Sequence, residues 1–185
     1  MPPAVAVLVP VKGFAVAKAR LADVLDAPAR AHLARTMADR VLAAAGGLPV
    51  TVACDDDEVA AWAESRGAEV TWTQGLDLDG AVTRGIEGLR AAGVRRAIVA
   101  HADLPRAADL TVAAGPTGVV AVPDRHDDGT NVLGVPTDAG FVFAYGPGSF
   151  ARHCAESARL GLPLTVLRPA DLTWDVDVPA DLELP

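Results

Sequence analysis

Hydrophobic positions in this chain fall mostly in short continuous runs, each followed by a segment with a helical period. The run AVAVLVPV (Ala4–Val11) predicts a strand covered on both faces, the kind found in parallel sheets. A polar loop follows. Asp26 then reads as an N-cap with Pro28 in the first turn of a helix that ends at Gly46–Gly47. VTVAC (Val50–Cys54) predicts a second strand. Asp56–Gly67 predicts a helix with an acidic first turn and a glycine stop, and AEVTW a short third strand. A glycine-containing helix is expected over Asp79–Gly93, and a strand over RRAIVA from Arg95 that ends in the acidic turn HADLP. Strands at Gly118–Asp124 and Thr130–Val135, a helix at Ser149–Gly161 and a strand at Pro163–Pro169 complete the pattern. The tail TWDVDVPADLELP predicts a turn and one helical turn.

Strands alternating with helices imply βαβ units and a mostly parallel sheet flanked by helices. No repeat, low-complexity tract or long linker divides residues 1–185, so a single α/β domain is expected. Ligands in such folds bind beyond the carboxyl ends of the strands, which directs attention to the segments after each one.

Composition narrows the function classes. The formal net charge of -8 argues against a nucleic-acid partner, though not against a local basic pocket. Hydrophobic residues make up 51% and aromatics 4%, so the core should be aliphatic. Cys54 and Cys154 are isolated and far apart in the chain, which fits core positions in a reducing cytoplasm. No apolar run approaches the ~18 residues of a membrane span, and no signal-peptide pattern opens the chain. A homodimer through an exposed aliphatic strand edge is compatible with the sequence.

The first loop carries an unusual feature. Lys12 and Lys18 are the only lysines in the chain, against 14 arginines, and Arg20 stands beside them. A cationic loop after a central strand suits phosphate, and an ordinary solvated loop is the other reading. The Walker and Gly-x-Gly-x-x-Gly patterns are both missing. In HADLP, Asp103 stands at a strand end, where it could bind a metal or cap a short helix opened by Pro105. Asp175 and Asp177 alternate in WDVDVP and so face one way if the segment is extended. Such a pair repels unless a cation joins it, and magnesium is the usual hard ion; a polar turn before Asp181 is the alternative. PDRHDDGTNVL leads into Thr130 and Asn131, and in YGPGS the glycines Gly146 and Gly148 precede a helix opening at Ser149. That turn could receive an anion, or it could be a plain turn with Ser149 as N-cap. His32, His101, His126 and His153 share no metal-ligand spacing, and His153 reads as a packing or surface residue. Gly-x-Ser-x-Gly is absent, as is any paired nucleophile and base.

VPVKGFAVAKARL, HADLP, PDRHDDGTN, YGPGSFARH and WDVDVPADL occur in that order across the whole chain. Together they resemble the guanylyltransferases of coenzyme F420 biosynthesis, which act on 2-phospho-L-lactate or phosphoenolpyruvate. The resemblance implies a nucleotide-diphospho-sugar transferase-like fold. It also implies nucleotide contacts at Lys12, Lys18 and Arg20, with Lys12, Lys18 and Asp103 in the catalytic set. Magnesium would be held by Asp103, Asp175 and Asp177, and the carboxylate of the acid by Thr130, Gly146 and Ser149. The chain has Asp79 where many members have asparagine, and Tyr145 where phenylalanine is frequent.

The expected reaction follows from this set. GTP lies against the lysine loop, the substrate phosphate attacks the α-phosphorus in line, and pyrophosphate leaves. No general base is needed, because a phosphate oxygen is already anionic at neutral pH. The resemblance, taken with the arginine-rich and alanine-rich composition, implies phosphoenolpyruvate as the acid, ahead of 2-phospho-L-lactate. The competing readings are another nucleotidyltransferase of the same fold, of the molybdenum-cofactor or sugar-phosphate type, and a nucleotide-binding module without turnover.

Overall fold

The computed structural model describes residues 4–183; residues 1–3 and 184–185, the ends of the expected domain, lie outside the described residues. The strands are β1 (Val5–Pro10), β2 (Val50–Cys54), β3 (Glu69–Trp72), β4 (Arg96–Ala100), β5 (Val119–Pro123), β6 (Thr130–Pro136) and β7 (Leu164–Val166). The helices are α1 (Ala27–Ala43), α2 (Asp57–Ser65), α3 (Leu78–Ala91) and α4 (Ser149–Arg159). One seven-stranded sheet runs in the order β3-β2-β1-β4-β6-β5-β7.

Local chemistry accounts for the elements. Asp26, Asp56 and Asp77 each accept a backbone N–H three residues on, from Ala29, Val59 and Gly80, and so cap α1, α2 and α3. With the cap at Asp77, α3 starts at Leu78, one residue before the expected Asp79. Gly148, with φ 73, is the N-cap of α4, and Ser149 is its first helical residue with no side-chain cap. Ser149 therefore does not cap, in contrast to one sequence reading. The positive φ is a conformation glycine adopts at little cost. No helix opens at Pro105: residues 101–110 form turns, and a 3-10 turn follows at Thr111–Ala113. Asp103 is thus free of any capping duty.

The apolar runs β1 and β4 sit in the middle of the sheet, and β5 lies one strand in from its edge. Val7 and Val9 face one core cluster with Trp62 and Leu104, and Ala6 and Leu8 face another with Ile86 and Leu133. Both faces of the sheet are covered, as continuous apolar runs require. β1 pairs in parallel with β2 and β4, while β6 runs antiparallel to both β4 and β5. The reversal comes from the turn Asp124–Gly129, where the Asp124 carboxylate accepts N–H groups from His126, Asp128 and Gly129. Its consequence is positional. The amino end of β6 lies beside the carboxyl end of β4, and His101 N–H donates to the carbonyl of Asn131 at 3.0 Å. Thr130 and Asn131 therefore reach the same edge of the sheet as Lys12 and Asp103.

Candidate active site

Two clefts open at that edge. The first, about 290 Å³, is lined by Lys12, Phe14, Lys18, Leu78, His101 and Asp103, among others. A smaller recess beside it is lined by Lys12, Asp55, Thr73, Leu76 and Asp77. The second cleft, about 240 Å³, is lined by Asp124, Asp128, Thr130, Asn131, Gly146, Ser149, Asp175 and Asp177, and by Arg20, His101 and Asp103. His101 and Asp103, at the end of β4, belong to both.

Lys18 stands at the junction. Its backbone is left-handed, with φ 54, an uncommon conformation for a lysine. Its ammonium lies 2.6 Å from Asp103 Oδ2 and 3.1 Å from Asp177 Oδ1, with only 11% of the side chain exposed. Burial alone would lower the lysine's pKa, but Asp103 and Asp177 more than offset it and the net shift is upward. At Asp103 burial pushes the carboxyl pKa up. The Lys18 charge, the His101 ring and the Lys18 hydrogen bond together outweigh that and hold it below the ordinary value. Arg20 lies farther out, 3.9 Å from Asp177 and 75% exposed. It lines the second cleft, apart from Lys12, with which the sequence reading grouped it as a nucleotide contact, because the 3-10 turn Ala19–Leu21 carries it toward the tail.

The tail that carries Asp175 and Asp177 is held at several points. Val176 between them is buried against Leu21 and Met37, and its N–H donates to the Asp103 carbonyl at 3.2 Å. One apolar residue inward leaves both carboxylates outward, as the alternation predicts. The buried Asp181 carboxylate accepts the N–H groups of Asp177 and Val178 and pairs with Arg125. Arg125 also stacks on Trp174, 4.3 Å from the ring centroid, and donates to the Asp175 carbonyl. Asn131 Nδ2 donates to Leu172 O at 3.0 Å. Arg125 and Asn131 were not foreseen as supports for this tail. Asp181 was, as a local turn residue.

The donor set suits a hard divalent cation in its chemistry. Asp103 Oδ1 is buried and has no hydrogen-bond partner among the described residues. Burial raises the Asp175 pKa, and the neighbouring charges of Asp103 and Asp177 raise it further, which marks a surplus of negative charge. The three carboxylates are not gathered round one point: no group of three acidic, imidazole or thiol side chains among the described residues has that arrangement. Lys18 instead joins two of them.

Thr130, Gly146 and Ser149 meet in the second cleft. His153 Nδ1 lies 3.0 Å from Thr130 Oγ1, and Ser149 Oγ lies 3.5 Å from the same oxygen. His153 is fully buried, which selects packing over surface of the two places the sequence left open, and it is also a hydrogen-bonding residue. The donors at the start of α4 are partly engaged: Gly148 N–H donates to the Asp128 carboxylate and Phe150 N–H to the Asp128 carbonyl. Asp79 accepts the Tyr145 N–H at 2.7 Å and so ties the start of α3 to the glycine turn. Cys54 is buried, Cys154 is half-buried, and both are free thiols. Among the described residues no helix is long and apolar enough to cross a membrane.

Residues 5–184 match a family model described as guanylyl transferase CofC like. A phosphoenolpyruvate guanylyltransferase of Sphaerobacter thermophilus is 37% identical over 185 residues, covering 95% of this chain and 89% of the relative. One of Roseiflexus castenholzii is 36% identical over 178 residues, covering 95% and 84%. Among solved structures, one from Desulfovibrio desulfuricans G20 that bears the name of a nucleotide-diphospho-sugar transferase superposes with a TM-score of 0.78 at 19% identity. The match covers 97% of this chain and 85% of that one. A nucleotidyl transferase from Methanothermobacter thermautotroptrophicus gives 0.65 at 17% identity, covering 96% and 94%. At these identities the two structures speak for the fold alone, a single α/β domain of the nucleotide-diphospho-sugar transferase type.

Proposed function

This chain belongs to the family of guanylyl transferases described as CofC like, and from that premise we propose that it transfers GMP from GTP to the phosphate of phosphoenolpyruvate. The observation that carries the proposal is the shared wall of the two clefts. Asp103 and His101 line both, so a nucleotide in one and a phosphorylated acid in the other would meet beside Asp103. The names of the curated relatives support the guanylyl group and the acid. Guanine offers two adjacent donors on one edge, and two acidic residues, Asp55 and the α3 cap Asp77, line the recess next to Lys12.

In this reading Lys12 supplies a mobile charge to the triphosphate, and Lys18 marks the boundary between the two substrates. Thr130, Gly146 and Ser149 receive the carboxylate of the acid. Asp103, Asp175 and Asp177 would hold magnesium, which when bound supplies charge neutralisation for the phosphates. The chain's own contribution is positioning. It sets the acid's phosphate oxygen in line with the α-phosphorus; the new P–O bond forms as the bond to the pyrophosphate oxygen breaks, and pyrophosphate departs. The product belongs to coenzyme F420 biosynthesis in this proposal, and the protein works in the cytoplasm. 2-Phospho-L-lactate, which differs by a few atoms near the carboxylate, is the second candidate acid.

The test is pyrophosphate release with mass detection of the product. The purified protein is incubated with magnesium, GTP and each acid, and with ATP or CTP in place of GTP. A guanylylated phosphoenolpyruvate is expected. Pyrophosphate from GTP with neither acid would overturn the proposal, and equal use of ATP would overturn the guanine part.

A further inference from the structure

The second cleft rests on a buried histidine that the mechanism above does not use. His153 lies on α4, 0% exposed, with the Tyr145 and Phe141 rings 4.9 and 5.8 Å away. Its two ring nitrogens face partners of different kinds. Nε2 is 3.1 Å from the backbone nitrogen of Ala144, which carries a hydrogen and can only donate. Nε2 is therefore the bare nitrogen. Burial, assisted by Arg152 and His101 and opposed by Glu156, holds the imidazole's pKa down to about 4, so the ring is neutral at pH 7. The single ring proton then sits on Nδ1, which faces Thr130 Oγ1 at 3.0 Å.

This fixes the polarity of the hydroxyl. Thr130 Oγ1 accepts from His153, and Ser149 Oγ approaches the same oxygen at 3.5 Å. A hydroxyl has two acceptor positions and one hydrogen. With its acceptor side turned to His153 and Ser149, Thr130 has its hydrogen left for the cleft it lines. The Ala144 contact adds a second effect, because Ala144 stands two residues before Gly146, and the ring thus ties the glycine turn to the start of β6.

We propose that His153 is a positioning residue that orients the Thr130 hydroxyl as a donor into the cleft, so that the site takes a ligand oxygen that accepts, such as a carboxylate oxygen. The inference rests on the reading of this cleft as the acid site. A donor group at the same place would face the hydroxyl's hydrogen and be disfavoured.

Two measurements test it. In the free protein, nitrogen-15 correlation spectra of the His153 ring should show Nδ1 protonated and Nε2 bare from pH 6 to pH 8. A ring protonated on Nε2 would overturn the inference whatever the substrate is. In kinetics, Thr130→Val, His153→Phe and the double variant are compared by their KM for phosphoenolpyruvate and for GTP. Each single variant should raise the KM for the acid about ten-fold, the loss of one hydrogen bond to a charged group, with the KM for GTP unchanged. The double variant should also stand near ten-fold, because His153 acts through Thr130. A rise near a hundred-fold in the double variant, or equal rises for both substrates, would show a separate structural role and overturn the proposal. His153→Asn, whose amide places an N–H near the Nδ1 position, should recover part of the loss, and it carries the kinetic arm if the phenylalanine variant does not fold. Absence of turnover with phosphoenolpyruvate in the unmodified protein counts against the proposed function, and the ring spectrum still decides the inference.

Discussion

Replacing Lys18 by methionine isolates the electrostatics of the junction from catalysis. The substitution keeps most of the side-chain volume and removes a charge 2.6 Å from Asp103 and 3.1 Å from Asp177. Breaking a fully buried ion pair from one side costs about 3–5 kcal/mol, since the remaining charge stays buried without a partner. Here the side chains of Lys18 and Asp103 keep 11% and 20% of their exposure, and Asp177 is half exposed, so about 2–3 kcal/mol is expected. In a chain of this size that lowers the thermal midpoint by roughly 5–10 °C. The pH window follows from the signs. Asp103 is held below its ordinary pKa, so its share is present above the pKa of the unfolded carboxyl and is lost as the pH falls through the folded one. Lys18 is held above its ordinary pKa, so its share is present at neutral pH and is lost as the pH rises through the folded value. Differential scanning calorimetry at neutral pH, with and without millimolar magnesium, is the assay. The variant should gain more from magnesium than the unmodified protein, because Asp103 and Asp177 then lack their internal cation. An unchanged midpoint together with an unchanged magnesium response would refute the assignment of Lys18 as the resident cation of this cluster.

Asp103→Asn should lower pyrophosphate release at least ~1,000-fold, about 4 kcal/mol of transition-state stabilisation, since the residue lines both clefts; activity within ten-fold of normal would remove it from the reacting centre. Gly134→Ala should lower the thermal midpoint by roughly 6–12 °C, because a Cβ there would stand 1.9 Å from the Ala113 carbonyl oxygen and cost about 3 kcal/mol to accommodate. His153, depressed from 6.5 to about 4, should make stability fall by about 3 kcal/mol as the pH drops across that interval, since the unfolded chain takes up the proton first. Urea unfolding of His153→Phe should lack that part of the loss.

The strands and helices were legible because their signals are local. Valine runs, aspartate caps and glycine stops each act within a few residues, and the observed boundaries fall within a few positions of those expected. That Thr130, Gly146 and Ser149 line one cleft was legible only through the family resemblance that the ordered motifs carry. What the sequence could not show is strand direction. Thr130 and Asn131 open β6, and a rule that looks only beyond strand ends would pass over them. Only the antiparallel insertion of β6 between β4 and β5 brings them beside Asp103. The partners of Lys18 were hidden for a similar reason, since they lie 85 and 159 residues away along the chain. The supports at Arg125 and Asp79 depend on the path of the tail and of the glycine turn, and neither carries a local pattern.

The geometry also gives a physical reason for a lysine at position 18 in a chain that otherwise relies on arginine. The site asks one cation to face two carboxylates that approach from different segments, the turn after β4 and the tail, in a space where only 11% of the side chain meets solvent. An ammonium is a compact charge with three donors that point in different directions, so it can bridge Asp103 and Asp177 from one nitrogen. A guanidinium is a flat fork suited to one carboxylate taken edge-on, and its greater bulk would have to enter the boundary between the clefts. Arg20 illustrates the contrast, standing outside and reaching only Asp177 at 3.9 Å. The left-handed backbone at Lys18 turns the chain sharply at this point, and the two short contacts hold the residue there. Lys12 answers a different demand. It is exposed and lines both the first cleft and the recess beside it, a position from which a long flexible stem can follow a phosphate chain while a bidentate group would be tied to one orientation.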